Sequence, residues 1–160
     1  MALTVNLRHL ENDSMELSGE LAVAELDLDA RDEMVRAVQP LQYDLEIKLL
    51  EEGLLVQGSL VITLDCSCVR CLKDFEFELE MDPWTLHLPL TGEDAVSIKN
   101  DCVDLTPMVR EDTLLGFPQH PLCRPDCGGL KQAKTGKARK TAGKDETKPS
   151  AWAELNKLKL

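Results

Sequence analysis

Leu41-Gln42-Tyr43-Asp44-Leu45-Glu46-Ile47-Lys48-Leu49, a turn at Glu51-Glu52-Gly53, and a return from Leu54 to Leu64 form the stretch whose reading decides the fold. Leu41, Tyr43, Leu45, Ile47 and Leu49 alternate with Gln42, Asp44, Glu46 and Lys48. A period of two is that of a strand with one face in a core and one in water. Gly53 can take a positive φ without steric cost, which suits it to close the turn. On the return, Leu60, Ile62 and Leu64 share one face, and the chain then runs straight into Cys66, Cys68 and Cys71. A long hairpin that ends in cysteines is therefore the expected centre of the molecule.

Working towards the C-terminus, Phe75, Phe77, Leu79 and Met81 alternate with Asp74, Glu76, Glu78 and Glu80. This is another strand, which Asp82-Pro83 is expected to break, because proline offers no N–H to a ladder. Trp84, Leu86, Leu88 and Leu90 alternate again, so Cys68-Val69-Arg70-Cys71 lies in a strand-to-strand connection. The polar run Thr91–Asp101 reads as a loop, with Val96 and Ile98 as a brief edge strand. Thr106-Pro107 opens a helix, with threonine as cap and proline at the first position. Met108, Val109, Leu114 and Leu115 supply its apolar face, and Gly116 and Pro118 end it. His120-Pro121-Leu122 leads into the second cysteine pair, Cys123-Arg124-Pro125-Asp126-Cys127, followed by Gly128-Gly129.

Towards the N-terminus, Thr4–Leu10 reads as a strand, Glu11–Ser14 as a turn, and Met15–Leu28 as a partly alternating apolar run. Asp27–Pro40 fits a short helix capped by Asp29, or an irregular loop. The fold class is α+β and β-dominated: an antiparallel sheet or partly closed barrel, with a helix near 106–116 and a short C-terminal helix.

Composition fits a folded body of 160 residues, 43% hydrophobic and only 4% aromatic, so aliphatic side chains must fill the core. The net charge of −11 hides a division. Residues 1–130 hold 9 Lys+Arg against 26 Asp+Glu, a net −17; residues 131–160 hold 9 against 3, a net +6. This divides the chain into an acidic β-rich body over 1–130, a basic flexible linker over 131–149 rich in Lys, Ala, Gly and Thr, and a short helix over 150–160. Trp152, Leu155 and Leu158 form a small stripe on that helix, which is too short to stand alone. No apolar run approaches the roughly 20 residues that span a bilayer. The first residues lack the pattern of a secretory signal, so a cytoplasmic, reducing location is expected. There, six cysteines are thiols or metal ligands sooner than disulfides.

The cysteine pairs carry the chemistry. Cys68 and Cys71, and Cys123 and Cys127, are each close enough in sequence to reach one ion, and four thiolates suit a closed tetrahedral zinc site. The 51 residues between Cys71 and Cys123 mean that only the fold can bring the pairs together. Arg70 and Arg124 are placed to offset the site's negative charge, and Gly128 and Gly129 to turn backbone amides towards sulfur. Cys66 can replace Cys68 as a ligand, His120 can replace a sulfur, and Cys102 reads as packed. The bland reading is reduced thiols that only pack or sit at the surface. A C-x-x-C pair also allows disulfide exchange, but thioredoxin-like sites place it at a helix N-terminus, and here a strand follows. Four cysteines leave no open coordination position for hydrolysis. No G-x-x-x-x-G-K-[ST] loop, G-x-S-x-G elbow or H-E-x-x-H helix is present, so an enzyme is not expected.

Several of these features occur together: Gly58 within an apolar strand, Cys68-Val69-Arg70-Cys71-Leu72, Asp104-Leu105 before a helix, Pro118, Pro121-Leu122-Cys123, Cys127-Gly128-Gly129-Leu130, and the ending Ala151-Trp152-Ala153-Glu154-Leu155-Asn156-Lys157-Leu158. From about Tyr43 to Leu160 the chain thus resembles the YceD-like family, named for accumulation of large-subunit ribosomal RNA. The resemblance implies a non-enzymatic role in making or stabilising 23S ribosomal RNA during large-subunit assembly. It carries the family's cysteines onto Cys68, Cys71, Cys123 and Cys127; Cys66 and Cys102 are additions. Family members are often encoded beside ribosomal protein L thirty-two, a small basic protein. The expected partners are therefore ribosomal RNA or a basic ribosomal protein, with no membrane and no small-molecule substrate. A body at −17 repels phosphate backbones and attracts basic proteins, leaving RNA to Lys131, Lys134, Lys137, Arg139, Lys140 and Lys144. The competing reading is a zinc-stabilised interaction module with no ribosomal role, and after it a thiol oxidoreductase.

Overall fold

In the computed structural model, residues 2–10, 14–28 and 33–130 are described. The alternating stretch forms the central hairpin, β4 (Leu41–Leu49) with β5 (Gly53–Ser67), in a register that sets Leu49 opposite Leu54 and Leu45 opposite Gly58. The Leu50 N–H donates to the Gly53 carbonyl at 2.8 Å and closes the turn. Leu41, Leu45 and Ile47 of β4 are buried, with Leu54, Val56, Leu60, Ile62, Leu64 and Cys66 of β5. A single parity therefore lines the core over the full length of β5.

Around this hairpin the sheet is five-stranded and antiparallel, curled into a half-barrel. β2 (Met15–Leu21) extends it beyond β4, and β3 (Val35–Ala37) pairs with Leu64–Cys66 at the far end of β5. The other edge of β5 is taken throughout by β6 (Asp74–Pro89). β6 is one strand of 16 residues where two were expected. Asp82-Pro83 does not end it, because the ladder is already interrupted there: Gly58 faces Trp84 and Leu60 faces Met81, with a register shift between them. Proline, lacking an N–H, thus sits at an irregularity where no ladder donor is needed.

A second, three-stranded sheet closes the core: β1 (Thr4–Asn6), β7 (Ile98–Lys99) and β8 (Cys102–Asp104), in the order β1-β8-β7. The expected strand over Thr4–Leu10 stops early, and Leu7–Leu10 is a 3-10 helix that buries Leu10. After β2 the chain turns through residues 22–27, and Val35–Ala37 is a strand where a helix or loop was read. Asp29, the expected cap, lies outside the described residues.

Helix α1 (Thr106–Gly116) follows β8. Thr106 is its first residue and not its side-chain cap. Instead, the Asp104 carboxylate accepts the Thr106 N–H at 2.9 Å, and the Thr106 hydroxyl accepts the Leu3 N–H at 2.9 Å. Val109 and Thr113 are buried, while Leu115, expected on the apolar face, is 83% exposed. The Thr113 hydroxyl donates to the Val109 carbonyl at 2.6 Å, which lets a polar residue take the buried position. The Trp84 indole N–H donates to Asp112 Oδ2 at 2.7 Å and pins α1 to β6. Asp112→Ala leaves that N–H without its acceptor, and a loss of about 1–3 kcal/mol is expected from the urea midpoint. No helix among the described residues is long and apolar enough to cross a membrane.

Candidate metal centre

β5 ends at Ser67 and β6 begins at Asp74, so Cys68-Val69-Arg70-Cys71 occupies the loop joining them. The loop is a tight knuckle. Cys68 N–H donates to the Lys73 carbonyl at 2.9 Å, Leu72 N–H to the Cys68 carbonyl at 2.8 Å, and Leu72 takes φ +58° to reverse the chain. The second knuckle closes where Cys127 N–H donates to the Arg124 carbonyl at 3.1 Å, and Gly129 leaves it at φ +81°. Two bonds join the knuckles. Val69 N–H donates to the Pro121 carbonyl at 3.0 Å, and the Arg70 guanidinium donates to the Cys127 carbonyl at 3.1 Å.

The four sulfurs of Cys68, Cys71, Cys123 and Cys127 all lie within 4.8 Å of one another. Cys68 and Cys127 are 3.7 Å apart, Cys71 and Cys123 3.6 Å. These separations are far beyond a disulfide's roughly 2.05 Å. A tetrahedron with metal–sulfur bonds of about 2.3 Å has edges of about 3.8 Å, so the group fits one ion at its centre and can hold it. Cys68 and Cys127 are buried and the other two half-buried, which shields such a site from water.

The electrostatics agree with that geometry. The Cys123 backbone N–H is the main influence holding the Cys68 thiol down to about 6, aided by those of Cys71 and Arg70 and opposed by burial. The Cys123 thiol is pushed up to about 12 by its hydrogen bond with Cys71, by burial, and by Cys127 and Cys68. The Cys68 and Cys123 thiols are thus pushed in opposite directions, and a cation at the centre would favour the ionised form of both. The amides acting on the Cys68 sulfur are those of Cys123, Cys71 and Arg70.

Cys66 belongs to the core of β5 at 2% exposure, opposite Val35 and Phe75. Cys68 has the same parity as Cys66 and is equally buried; what separates them is that β5 ends at Ser67, leaving Cys66 in the ladder and Cys68 in the knuckle. Cys102 is half-buried on β8, and exposed His120 is not part of the cluster. Lys73, which sequence reading passed over, borders the cluster with Arg124. Lys131, Lys134, Lys137, Arg139, Lys140 and Lys144 lie outside the described residues, as do the linker and terminal helix read at 131–160.

A β-dominated half-barrel with a four-cysteine cluster at one end of its longest strand is the class of protein defined here. The profile of the family described as large ribosomal RNA subunit accumulation protein YceD matches residues 56–159, and the chain belongs to that family. It is 28% identical over 99 residues to an uncharacterized protein of Mycobacterium leprae, covering 57% of this chain and 46% of that protein. It is 32% identical over 98 residues to an uncharacterized protein of Mycobacterium tuberculosis, covering 56% and 47%. The chain thus spans about half the length of the curated relatives it matches. No solved structure matches it.

Proposed function

We propose that this chain is a non-enzymatic, cytoplasmic factor in 23S ribosomal RNA accumulation and large-subunit assembly, with a structural zinc held by Cys68, Cys71, Cys123 and Cys127. Its acidic body holds a basic ribosomal protein, and the segment from Lys131 to Lys148 contacts RNA. The observation that carries this reading is the family match over residues 56–159. The outer face of the half-barrel supports its protein-binding half. There Asp74, Glu76, Glu78 and Glu80 stand exposed along β6, with Asp44 of β4 and Glu16 and Glu20 of β2 turned the same way. Such a field favours basic partners and slows approach to phosphate. Four sulfurs would close the zinc's coordination sphere, which makes the ion a fastener and leaves no position for substrate.

Sedimentation of lysates under conditions that accumulate large-subunit precursors tests the reading. The chain is expected in the precursor fractions, and deletion of 131–148 is expected to remove RNA binding by the purified protein. Absence from those fractions would favour a zinc-stabilised module with no ribosomal role. Undiminished RNA binding by the truncated body would overturn the division of labour.

A further inference from the structure

We propose that the groove beside the cysteine cluster is a second RNA site, in which Lys73 and Arg124 hold the sugar–phosphate backbone of a single strand. This rests on the reading of RNA as a partner, and adds to the basic segment a contact on the body itself, ahead of residue 131, that does not hold RNA without that segment. The first observation is where the body keeps its few cations. Residues 1–130 carry nine Lys+Arg, and three of them, Arg70, Lys73 and Arg124, stand exposed at the two knuckles. Arg70 is tied to the Cys127 carbonyl. No described carboxylate pairs with Lys73 or Arg124.

The second observation is shape and lining. An open groove of about 930 Å³ runs along the cluster, walled by three of its cysteines together with Lys73, Arg124, Gly128, Gly129 and Leu130, and no carboxylate lines it. The groove at the β5–β6 irregularity is the opposite, lined by Glu16, Asp44, Glu46 and Asp82. A Cβ on Gly128 would meet nothing within 4 Å, so the backbone there is open to close approach. The third observation is uncovered apolar surface: Leu130 on the groove's wall is 63% exposed, and Val69 and Leu72 of the first knuckle are 40% and 61% exposed. Cations beside uncovered apolar side chains suit a single strand, whose phosphates seek charge and whose unpaired bases and riboses offer apolar surface. Finally, Leu130 on the groove's wall is followed in sequence by Lys131, with Lys134 and Lys137 soon after.

The test uses the full chain and a 20-nucleotide single-stranded RNA of mixed sequence, titrated across a range of salt. K73E/R124E is compared with K48E/K99E, which makes the same charge change on β4 and β7. Neither residue changed in the first pair is a candidate ligand, so its zinc content should equal that of wild type. K73Q/R124Q replaces it if the reversed pair fails to fold. An affinity at least tenfold below the control pair is expected. The slope of log K against log salt should fall by about 1.4, at roughly 0.7 per phosphate contact on a single strand. Equal affinity of the two pairs would overturn the groove and leave the ribosomal reading standing. No RNA binding by wild type would overturn the RNA half of that reading and the groove with it. Unchanged RNA binding with lost binding of polyglutamate would assign the groove to an acidic protein and overturn the proposal.

Discussion

Cys127→Ser is expected to purify with less than about one-tenth of an equivalent of zinc where wild type carries close to one, and to melt about 10 °C or more below it. Cys127 is 6% exposed, and its sulfur lies 3.7 Å from that of Cys68. A serine there leaves three sulfurs and a weaker hydroxyl on a site that the other distances set for four. The mechanical consequence follows from how residues 121–130 are held. They contain no strand or helix, and their described backbone ties to the first knuckle are the Val69–Pro121 and Arg70–Cys127 bonds. Structural zinc contributes about 10–16 kcal/mol in apparent binding energy, as much as the whole net stability of a typical domain. Losing it should free this run from the sheet, seen as new protease cleavage between Pro118 and Leu130. Cys102→Ser and Cys66→Ala are the controls and should keep a full equivalent, since neither sulfur is in the cluster. A full equivalent in Cys127→Ser, or almost none in wild type, would remove the metal from the account.

The contrast between Cys66 and Cys68 marks what could be read in advance. Period-two alternation fixed the hairpin from Leu41 to Leu64 and the strand after Leu72, because burial on one face of a sheet leaves a pattern in every second residue. Counting that parity onwards puts Cys66 and Cys68 on the same side; only the end of β5 at Ser67 divides them, and no residue pattern marks that end. The paired spacings and the resemblance named the four cysteines that meet, but the route was not legible, since the 51 residues between Cys71 and Cys123 bear no local signal of how the half-barrel folds them back. Pro83 misled for a different reason. Its missing N–H ends a strand only where a ladder bond is required, and the register shift opposite it, between Gly58 and Leu60, removes the requirement. Leu115, expected on the apolar face of α1, is exposed, while Thr113 is buried because it satisfies its own hydroxyl within the helix. Composition and hydropathy cannot express that.

The same register shift makes Gly58 the residue whose substitution should cost the fold most without touching the cluster. Gly58 sits opposite Leu45 on β4 and Trp84 on β6, with φ +156°. A Cβ added there would overlap the Asp44 carbonyl oxygen and come within 2.9 Å of the Leu45 Cα. Both obstacles are backbone, so no rotamer change relieves them, and β4 and β5 must part between two buried neighbours, Leu45 and Leu60. Gly58→Ala is therefore expected to cost more than about 3 kcal/mol by urea denaturation, above the usual range for overpacking. Gly92→Ala separates clash from conformation. Gly92 has φ +98° but nothing within 4 Å of an added Cβ, so strain alone should cost about 1–2 kcal/mol. Zinc content supplies the sharper comparison. From Leu60 to Ser67, β5 remains paired with β6, and that segment delivers Cys68 to the cluster. Gly58→Ala should thus lose stability while keeping its zinc, the reverse of a protein whose metal is set by the hairpin as a whole. A variant within about 1 kcal/mol of wild type would mean that β4 yields at Asp44. One that loses stability and metal together would mean that the irregularity and the knuckle open as one unit.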